Sequence, residues 1–138
     1  MKKTKWWLRI VGAFYLLLTA LNAYYFFFNQ QGYRDILPFR ADDIAIRAFI
    51  DAWMVFIFEL AVLGVMALYA SRNPGQGRIL VITIILAEIF RGAVADAIWI
   101  YRGYSAAEYV PFIFVHLIIV VTGIIFLRQE RTVNGGAK

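Results

Sequence analysis

The sequence predicts an all-α polytopic membrane protein built as a bundle of four transmembrane helices. Hydrophobic residues make up 62% of its 138 residues and the mean hydropathy is +0.69, which is too apolar for a soluble chain of this length. The apolar residues fall into four blocks of about 20 residues, each long enough to span a hydrocarbon core of about 30 Å. We therefore expect one domain, residues 1–138, that lies in the bilayer.

The first predicted helix covers about residues 6–28. Its opening resembles a secretory signal, with a basic head and an apolar middle, but the apolar run continues through Phe28, so we expect the helix to be retained. Small and polar residues recur along it at three- and four-residue steps, at Gly12, Tyr15, Thr19 and Asn22. This spacing places them on one face, which favours packing against other helices.

The second, third and fourth helices are predicted at about residues 45–70, 79–101 and 110–127. Between the second and third lies a tight polar turn, SRNPGQG, whose Pro and Gly residues end one helix and start the next. Pro111 is expected in the first turn of the fourth helix, where its missing N–H is not needed.

The distribution of Lys and Arg predicts that both termini face the cytoplasm. Nine basic residues lie at the N-terminus, in the middle turn and in the tail, namely Lys2, Lys3, Lys5, Arg9, Arg72, Arg78, Arg128, Arg131 and Lys138. Four lie at the opposite ends of the helices, namely Arg34, Arg40, Arg47 and Arg102. Basic residues concentrate on the cytoplasmic side of membrane proteins.

The third predicted helix carries three charged residues, Glu88, Arg91 and Asp96, within its apolar run. Each such group costs roughly 2.5–3.5 kcal/mol at the centre of a helix that faces lipid. We therefore expect the three side chains to point inward, towards partners on other helices.

Polar groups from all four helices are predicted to lie in the middle and outer half of the membrane, where they would line one outward-facing pocket. The candidate ligand-binding residues are Asn22, Asp51, Glu59, Glu88, Arg91, Asp96 and His116. Ionisable groups inside a membrane are candidate functional sites by default.

Several of these residues have a simpler structural interpretation. Glu88 and Arg91 are spaced to form an ion pair that only fixes the helix register, and Arg47 with Asp51 is spaced to form an interfacial pair. His116 on a helix face would then only hydrogen-bond to Glu88, Asp96 or a backbone carbonyl. The Trp and Tyr residues are typical of an interfacial belt or of bundle packing, and an aromatic-lined pocket is the alternative.

Composition excludes some chemistry. The chain has no cysteine and a single histidine, so we predict no metal site, although His116 with two carboxylates has suitable ligand types. No phosphate-binding glycine loop is present, and no particular cofactor is indicated. The net charge of +5 comes mainly from helix ends, which is typical of membrane orientation and not of nucleic-acid binding.

The function predicted from these residues is the binding of a small lipophilic or aromatic ligand in the pocket, as an accessory to a metabolic or transport system. Arg91 would orient an acidic or carbonyl group. One alternative is a membrane enzyme, either a proton-transferring isomerase or a quinone-linked oxidoreductase subunit, with Asp96 or Glu88 as acid/base and His116 as its partner. A small transporter or a structural subunit is another, and a homodimer or a larger membrane complex is left open.

Three segments resemble the BphX-like family of small four-helix bacterial membrane proteins. They are WWLRIVGAFYLLLTALN at residues 6–22, FRGAVADAIWIYRGY at 90–104 and HLIIVVTGIIFLR at 116–128. More remotely, the chain is similar to DoxX-like and EXPERA-type bundles. The resemblance implies a four-helix bundle in the bacterial inner membrane with a buried polar pocket, since EXPERA-type proteins bind sterol-like ligands through acidic residues in such a cavity.

Overall fold

The structure, a computed structural model, describes residues 2–37 and 40–135, and every regular element within them is helical. Met1 and Lys138, which bound the predicted domain, lie outside the described residues. The elements are α1 (Lys2–Phe28), α2 (Gln31–Ile36), α3 (Asp43–Ala70), α4 (Arg78–Ala87), a π-helical segment (Glu88–Val94), α5 (Ala95–Tyr101) and α6 (Ala106–Gly135). The all-α prediction is therefore confirmed for the described chain.

Three helices are long and apolar enough to cross a membrane: α1, α3 and the part of α6 from Ala106 to Gln129. They carry large apolar side chains on their outer faces, and Phe28 and Ile44, for example, are 79% and 80% exposed. Extended exposed apolar surface is not stable in water, so these helices are typical of a membrane protein.

The predicted third helix differs from the expectation because it is not a single α-helix. Its residues form α4, the π segment and α5, which follow one another without interruption from Arg78 to Tyr101. A π-helical insertion adds a residue to one turn and rotates the following side chains, and such insertions occur frequently at functional sites.

Helix starts also differ from the prediction. α1 begins at Lys2, and α6 begins at Ala106, so Pro111 lies inside α6 and not in its first turn. The carbonyl that Pro111 leaves without its usual partner is that of Ala107, close to the exposed start of the helix, where water can bond to it. α3 starts at Asp43, two residues before the predicted position, and Asp42 caps it by accepting a hydrogen bond from the backbone N–H of Ala45 at 2.7 Å.

The helices α1 and α3 pack most extensively, and they meet at two glycines. A Cβ atom on Gly12 would lie 2.8 Å from the carbonyl oxygen of Gly64, and one on Gly64 would lie 3.1 Å from the carbonyl oxygen of Gly12. Only glycine on both helices permits this approach. The predicted packing face of the first helix thus begins at this crossing and continues through Tyr15, which is fully buried.

The buried apolar residues form two groups. The larger joins α1, α3, α4 and α6 around Trp7, Leu8, Val11, Tyr15, Leu60, Ala67, Val81, Ile84, Ile85, Ile119 and Val120. The smaller lies near α2 and consists of Phe26, Tyr33, Ile46, Ile50 and Ile57. Members of both groups line the cavity described next, so the candidate site lies where the two parts of the core meet.

Candidate functional site

A cavity of about 460 Å³ lies between the helices and extends towards the end of the molecule that carries α2. This volume is within the range of pockets that hold small organic molecules. The lining residues are Phe14, Tyr15, Leu18, Asn22, Tyr33, Leu37, Phe49, Trp53, Phe56, Ile57, Leu60, Glu88, Arg91, Gly92, Asp96, Trp99, Tyr104, Glu108, Tyr109, Phe112 and His116. Aromatic rings therefore form much of the wall, and four charged or titratable side chains of the helix interior are grouped at its inner end.

Glu88 is the most buried carboxylate of the site, with 2% of its surface exposed. The hydroxyl of Tyr15 on α1 donates a hydrogen bond to its Oε1 atom. Its Oε2 atom lies 2.6 Å from Nδ1 of His116 on α6. Three separate helical segments are thus joined through one carboxylate, and both of its oxygens are used.

His116 lies between two carboxylates. Its Nδ1 atom contacts Glu88, and its Nε2 atom lies 3.4 Å from Oδ2 of Asp96. A neutral imidazole has one N–H donor and one acceptor nitrogen, so both carboxylates stay ionised only when the ring is protonated. Tyr15, Glu88 and His116 therefore form a hydrogen-bonded chain of titratable groups, and Asp96 lies at its end, 3.4 Å from the imidazole.

The carboxylate of Asp96 is held less completely than that of Glu88. Its side chain is 6% exposed, and its Oδ2 atom faces Nε2 of His116 at 3.4 Å without making a hydrogen bond to any residue that the structure describes. A buried acceptor left without a donor costs about 1–3 kcal/mol. Such a group in a cavity wall is suited to receive a hydrogen bond from a bound molecule.

Gly92, in the π segment, makes room for the histidine. A Cβ atom at this position would lie 2.5 Å from Cγ and from Nδ1 of His116, closer than side-chain carbons approach other atoms. The missing side chain at this position in the π segment allows the imidazole to approach the backbone closely between Glu88 and Asp96.

Arg91 also lines the cavity, but it is not paired with Glu88. Its guanidinium group lies 4.8 Å from the ring centre of Phe56 and 5.9 Å from that of Tyr15. In the described ranges no carboxylate lies within ion-pair distance of Arg91. The interpretation of Glu88 and Arg91 as an ion pair that fixes the helix register is therefore wrong. The two carboxylate oxygens of Glu88 contact Tyr15 and His116 instead.

Asn22 lines the cavity and connects three helices by hydrogen bonds. Its Oδ1 atom accepts hydrogen bonds from the Tyr33 hydroxyl at 2.7 Å and from Nε1 of Trp53 at 3.2 Å, and its Nδ2 atom donates to the carbonyl of Leu18 at 2.9 Å. It thereby joins α1, α2 and α3 next to the cavity. Burial, assisted by the neighbouring Tyr25, raises the pKa of Tyr33 above its ordinary value, so this hydroxyl remains a donor at neutral pH.

Asp51 and Glu59 do not join the other candidate residues. Both are exposed on α3, and neither lines the cavity. At 100° per residue they point about 140° away from the buried face of α3, which Ile50, Ile57 and Leu60 define. The expectation that they converge on the pocket is wrong, because the apolar packing of α3 against α1 sets which face of the helix turns inward.

Sequence reasoning missed some of the lining residues. Tyr15 was assigned to helix packing although it also bonds Glu88, and Tyr33 and Glu108 were not considered as site residues. The spacing of Tyr15 on the same face as Asn22 was the available signal. For Trp53 and Trp99, the aromatic-pocket alternative agrees with their position in the cavity wall.

Within residues 2–37 and 40–135, no group of three His, Cys, Asp or Glu side chains is arranged to hold a metal ion. The two ring nitrogens of His116 both face carboxylates. The chemistry that the site offers is hydrogen bonding, one unpaired cation, and proton sharing.

The fold and the site define a class of small all-helical proteins. In this class, helices of membrane-spanning length surround a cavity that is lined by aromatic side chains and holds buried charged residues. A family model described as BphX-like matches residues 1–132, and the chain belongs to the BphX-like family. No curated protein and no solved structure matches the chain. The more remote likeness to DoxX-like and EXPERA-type bundles stays a prediction.

Proposed function

We propose that the protein is a four-span protein of the bacterial inner membrane, with both termini in the cytoplasm. Besides α1, α3 and α6, the remaining span would be the uninterrupted run from Arg78 to Tyr101, the third along the chain, whose 24 residues reach about 36 Å. Its acidic residues Glu88 and Asp96 are buried among the other helices, which removes them from lipid. The excess of basic residues at the two termini and in the turn 71–77 supports the orientation.

Within this protein, the cavity binds a small lipophilic or aromatic ligand and opens towards the outer side of the membrane. One observation carries this proposal: Arg91 and Asp96 have unused hydrogen-bonding capacity inside a cavity whose walls are aromatic. The polar groups of most protein interiors are satisfied, so an exception in a cavity of this size is best explained by a ligand that completes them. The role as an accessory to a metabolic or transport system is part of the same proposal.

Native mass spectrometry of the protein purified in mild detergent tests binding. We expect the wild type to retain a small molecule and the Arg91→Ala variant to lose it. Glu59→Gln, which changes a charge outside the cavity, is the control and keeps the molecule. If wild type and Arg91→Ala carry the same adducts, or Arg91→Ala changes only the yield of folded protein, the binding proposal is wrong.

A second candidate function is proton transfer on the bound molecule, as in an isomerase. The observation that favours it is the path from Tyr15 through Glu88 and His116 to Asp96, which places a proton-sharing group at the inner end of the cavity. Arg91 would polarise a carbonyl oxygen while the His116–Asp96 pair takes a proton from the adjacent carbon.

Incubation in D₂O tests this second function. Deuterium on a carbon of the retained molecule, found with wild type and not with Asp96→Asn, supports it. The retained molecule recovered from wild type without carbon-bound deuterium contradicts it and leaves the binding function unaffected.

We also propose that the chain forms a homodimer through the outer face of α3. Arg47, Asp51 and Glu59 are exposed there, on a helix long and apolar enough to cross the membrane. Arg47 and Asp51 are one turn apart, so in a parallel pair each can meet the opposite charge of the other copy. Glu59 near the middle of the helix would otherwise face lipid, at a cost of roughly 3 kcal/mol when ionised.

A further inference from the structure

Asp96 and Arg91, two charged residues at the inner end of the cavity, differ in what they require from a ligand. The carboxylate of Asp96 is an acceptor, and its Oδ2 atom faces Nε2 of His116 at 3.4 Å without making a hydrogen bond to a described residue. The guanidinium of Arg91 is a donor with five N–H groups, and its described neighbours in the cavity are the rings of Tyr15 and Phe56. A molecule that satisfies both must bring a donor for Asp96 and an acceptor for Arg91.

Two other polar residues of the cavity, Glu88 and Asn22, are already hydrogen-bonded to other residues of the protein. Glu88 is fully engaged by Tyr15 and His116, so it has no oxygen free for a ligand. Asn22 is likewise engaged through both its oxygen and its amide nitrogen. Of the charged and titratable groups at the inner end of the cavity, Arg91 and Asp96 are therefore the two that remain for a ligand.

The two residues occupy different positions of the cavity wall. Arg91 lies in the π-helical segment, and Asp96 lies five residues further along the same helical run, in α5. Two separate positions favour a donor and an acceptor at different positions of a ring system over a single small polar group. The aromatic wall formed by residues such as Phe56, Trp53 and Trp99 suits a flat apolar body between them.

We propose that the ligand is a hydroxylated aromatic acid or ketone. Its hydroxyl group donates to the carboxylate of Asp96, its carboxylate or carbonyl oxygen accepts from Arg91, and its rings pack among the aromatic side chains. This assignment rests on the proposed binding function and adds the chemical class of the ligand. A site with buried polar groups rejects a ligand that lacks their partner, because the groups are then left unpaired.

Four naphthalene probes test the assignment, by isothermal titration calorimetry with the protein in lipid nanodiscs and empty nanodiscs as the blank. They are 6-hydroxy-2-naphthoate, which has both groups, 2-naphthoate and 2-naphthol, which each have one, and naphthalene, which has neither. We expect 6-hydroxy-2-naphthoate to bind at least about tenfold more tightly than either probe with one group.

Variants assign each preference to its residue. Arg91→Met should remove the preference for the carboxylate and keep that for the hydroxyl group, and Asp96→Leu should do the reverse. Arg91→Lys and Asp96→Asn, which are milder, should weaken the same preferences if the first pair folds poorly. Glu59→Gln, outside the cavity, should leave all four affinities unchanged.

The outcomes separate the two proposals. If none of the four probes binds, the proposed binding function fails for this class of compound, and the ligand class fails with it. If all four bind with equal affinity, binding in the cavity stands and the assigned ligand class is overturned. The class is also overturned if the preferences persist in both Arg91→Met and Asp96→Leu.

Discussion

The replacement of Gly92 by alanine tests the central geometry of the site. The added Cβ atom would lie 2.5 Å from Cγ and Nδ1 of His116, whereas comfortable carbon contacts begin near 3.5 Å, so the imidazole must retreat by about 1 Å. That movement is enough to break its 2.6 Å contact with the buried Glu88.

Two costs add up in this variant. Forced overpacking costs about 1–3 kcal/mol, and a buried carboxylate that loses a hydrogen-bond partner costs a similar amount. Against these, an unobstructed glycine in a helix gains up to about 1 kcal/mol when replaced by alanine. We expect Gly92→Ala to lower the free energy of unfolding by about 2–4 kcal/mol, measured by reversible SDS unfolding in mixed micelles with far-UV circular dichroism.

A double-mutant cycle with His116→Ala is the control. Without the imidazole, the added methyl group has no ring to displace, so the same Gly92→Ala change should cost little or become favourable. We expect a coupling energy of at least about 1 kcal/mol between the two substitutions. The same loss in both backgrounds, or no loss in the first, would refute the account of why this position is a glycine.

Three further predictions concern the fold, the topology and the assembly. Gly12→Ala should destabilise the protein by about 1–3 kcal/mol in the same unfolding assay, because its Cβ would lie 2.8 Å from a backbone carbonyl of α3; full stability would contradict the close crossing. In spheroplasts, an impermeant maleimide should label Ser105→Cys and not Gln76→Cys; both positions are exposed, and the reverse pattern would invert the proposed topology. The chain has no cysteine, so Val55→Cys on α3 should give oxidative cross-links in membranes without background, whereas Val121→Cys on α6 should not; 64% and 52% of these valines are exposed. Equal yields from the two variants, or no cross-link from Val55→Cys, would argue against pairing through α3.

Much of the candidate site could be predicted from the sequence. Glu88, Asp96 and His116 were correctly expected to lie inside, because ionised groups are too costly in lipid for these helices to turn them outward. The approach of His116 to both Glu88 and Asp96 agrees with one of the interpretations that the spacing left open. The expectation that Asp51 and Glu59 also join the pocket was wrong, since it assumes that every charge on a spanning helix can find an inner position.

The case of α3 explains this failure. The helix is apolar on nearly all sides, so its sequence does not show which face meets the other helices. Its rotation is decided by the glycine crossing with α1 and by packing of side chains such as Ile57 and Leu60. Those contacts turn Glu59 outward even though a charge there is costly.

By itself, the sequence determined that the protein is helical, that its helices have the length and hydropathy of membrane spans, and that the run around Glu88 carries charges inward. These properties depend on composition and on the local period of the helix, which each segment carries alone. Only the tertiary structure decided that Glu88 bonds Tyr15 and His116 in place of Arg91, and that Asp96 faces His116 without a hydrogen bond. The physical reason is that these pairings depend on the relative rotation of helices distant in sequence and on a π-helical turn that no hydropathy pattern reveals.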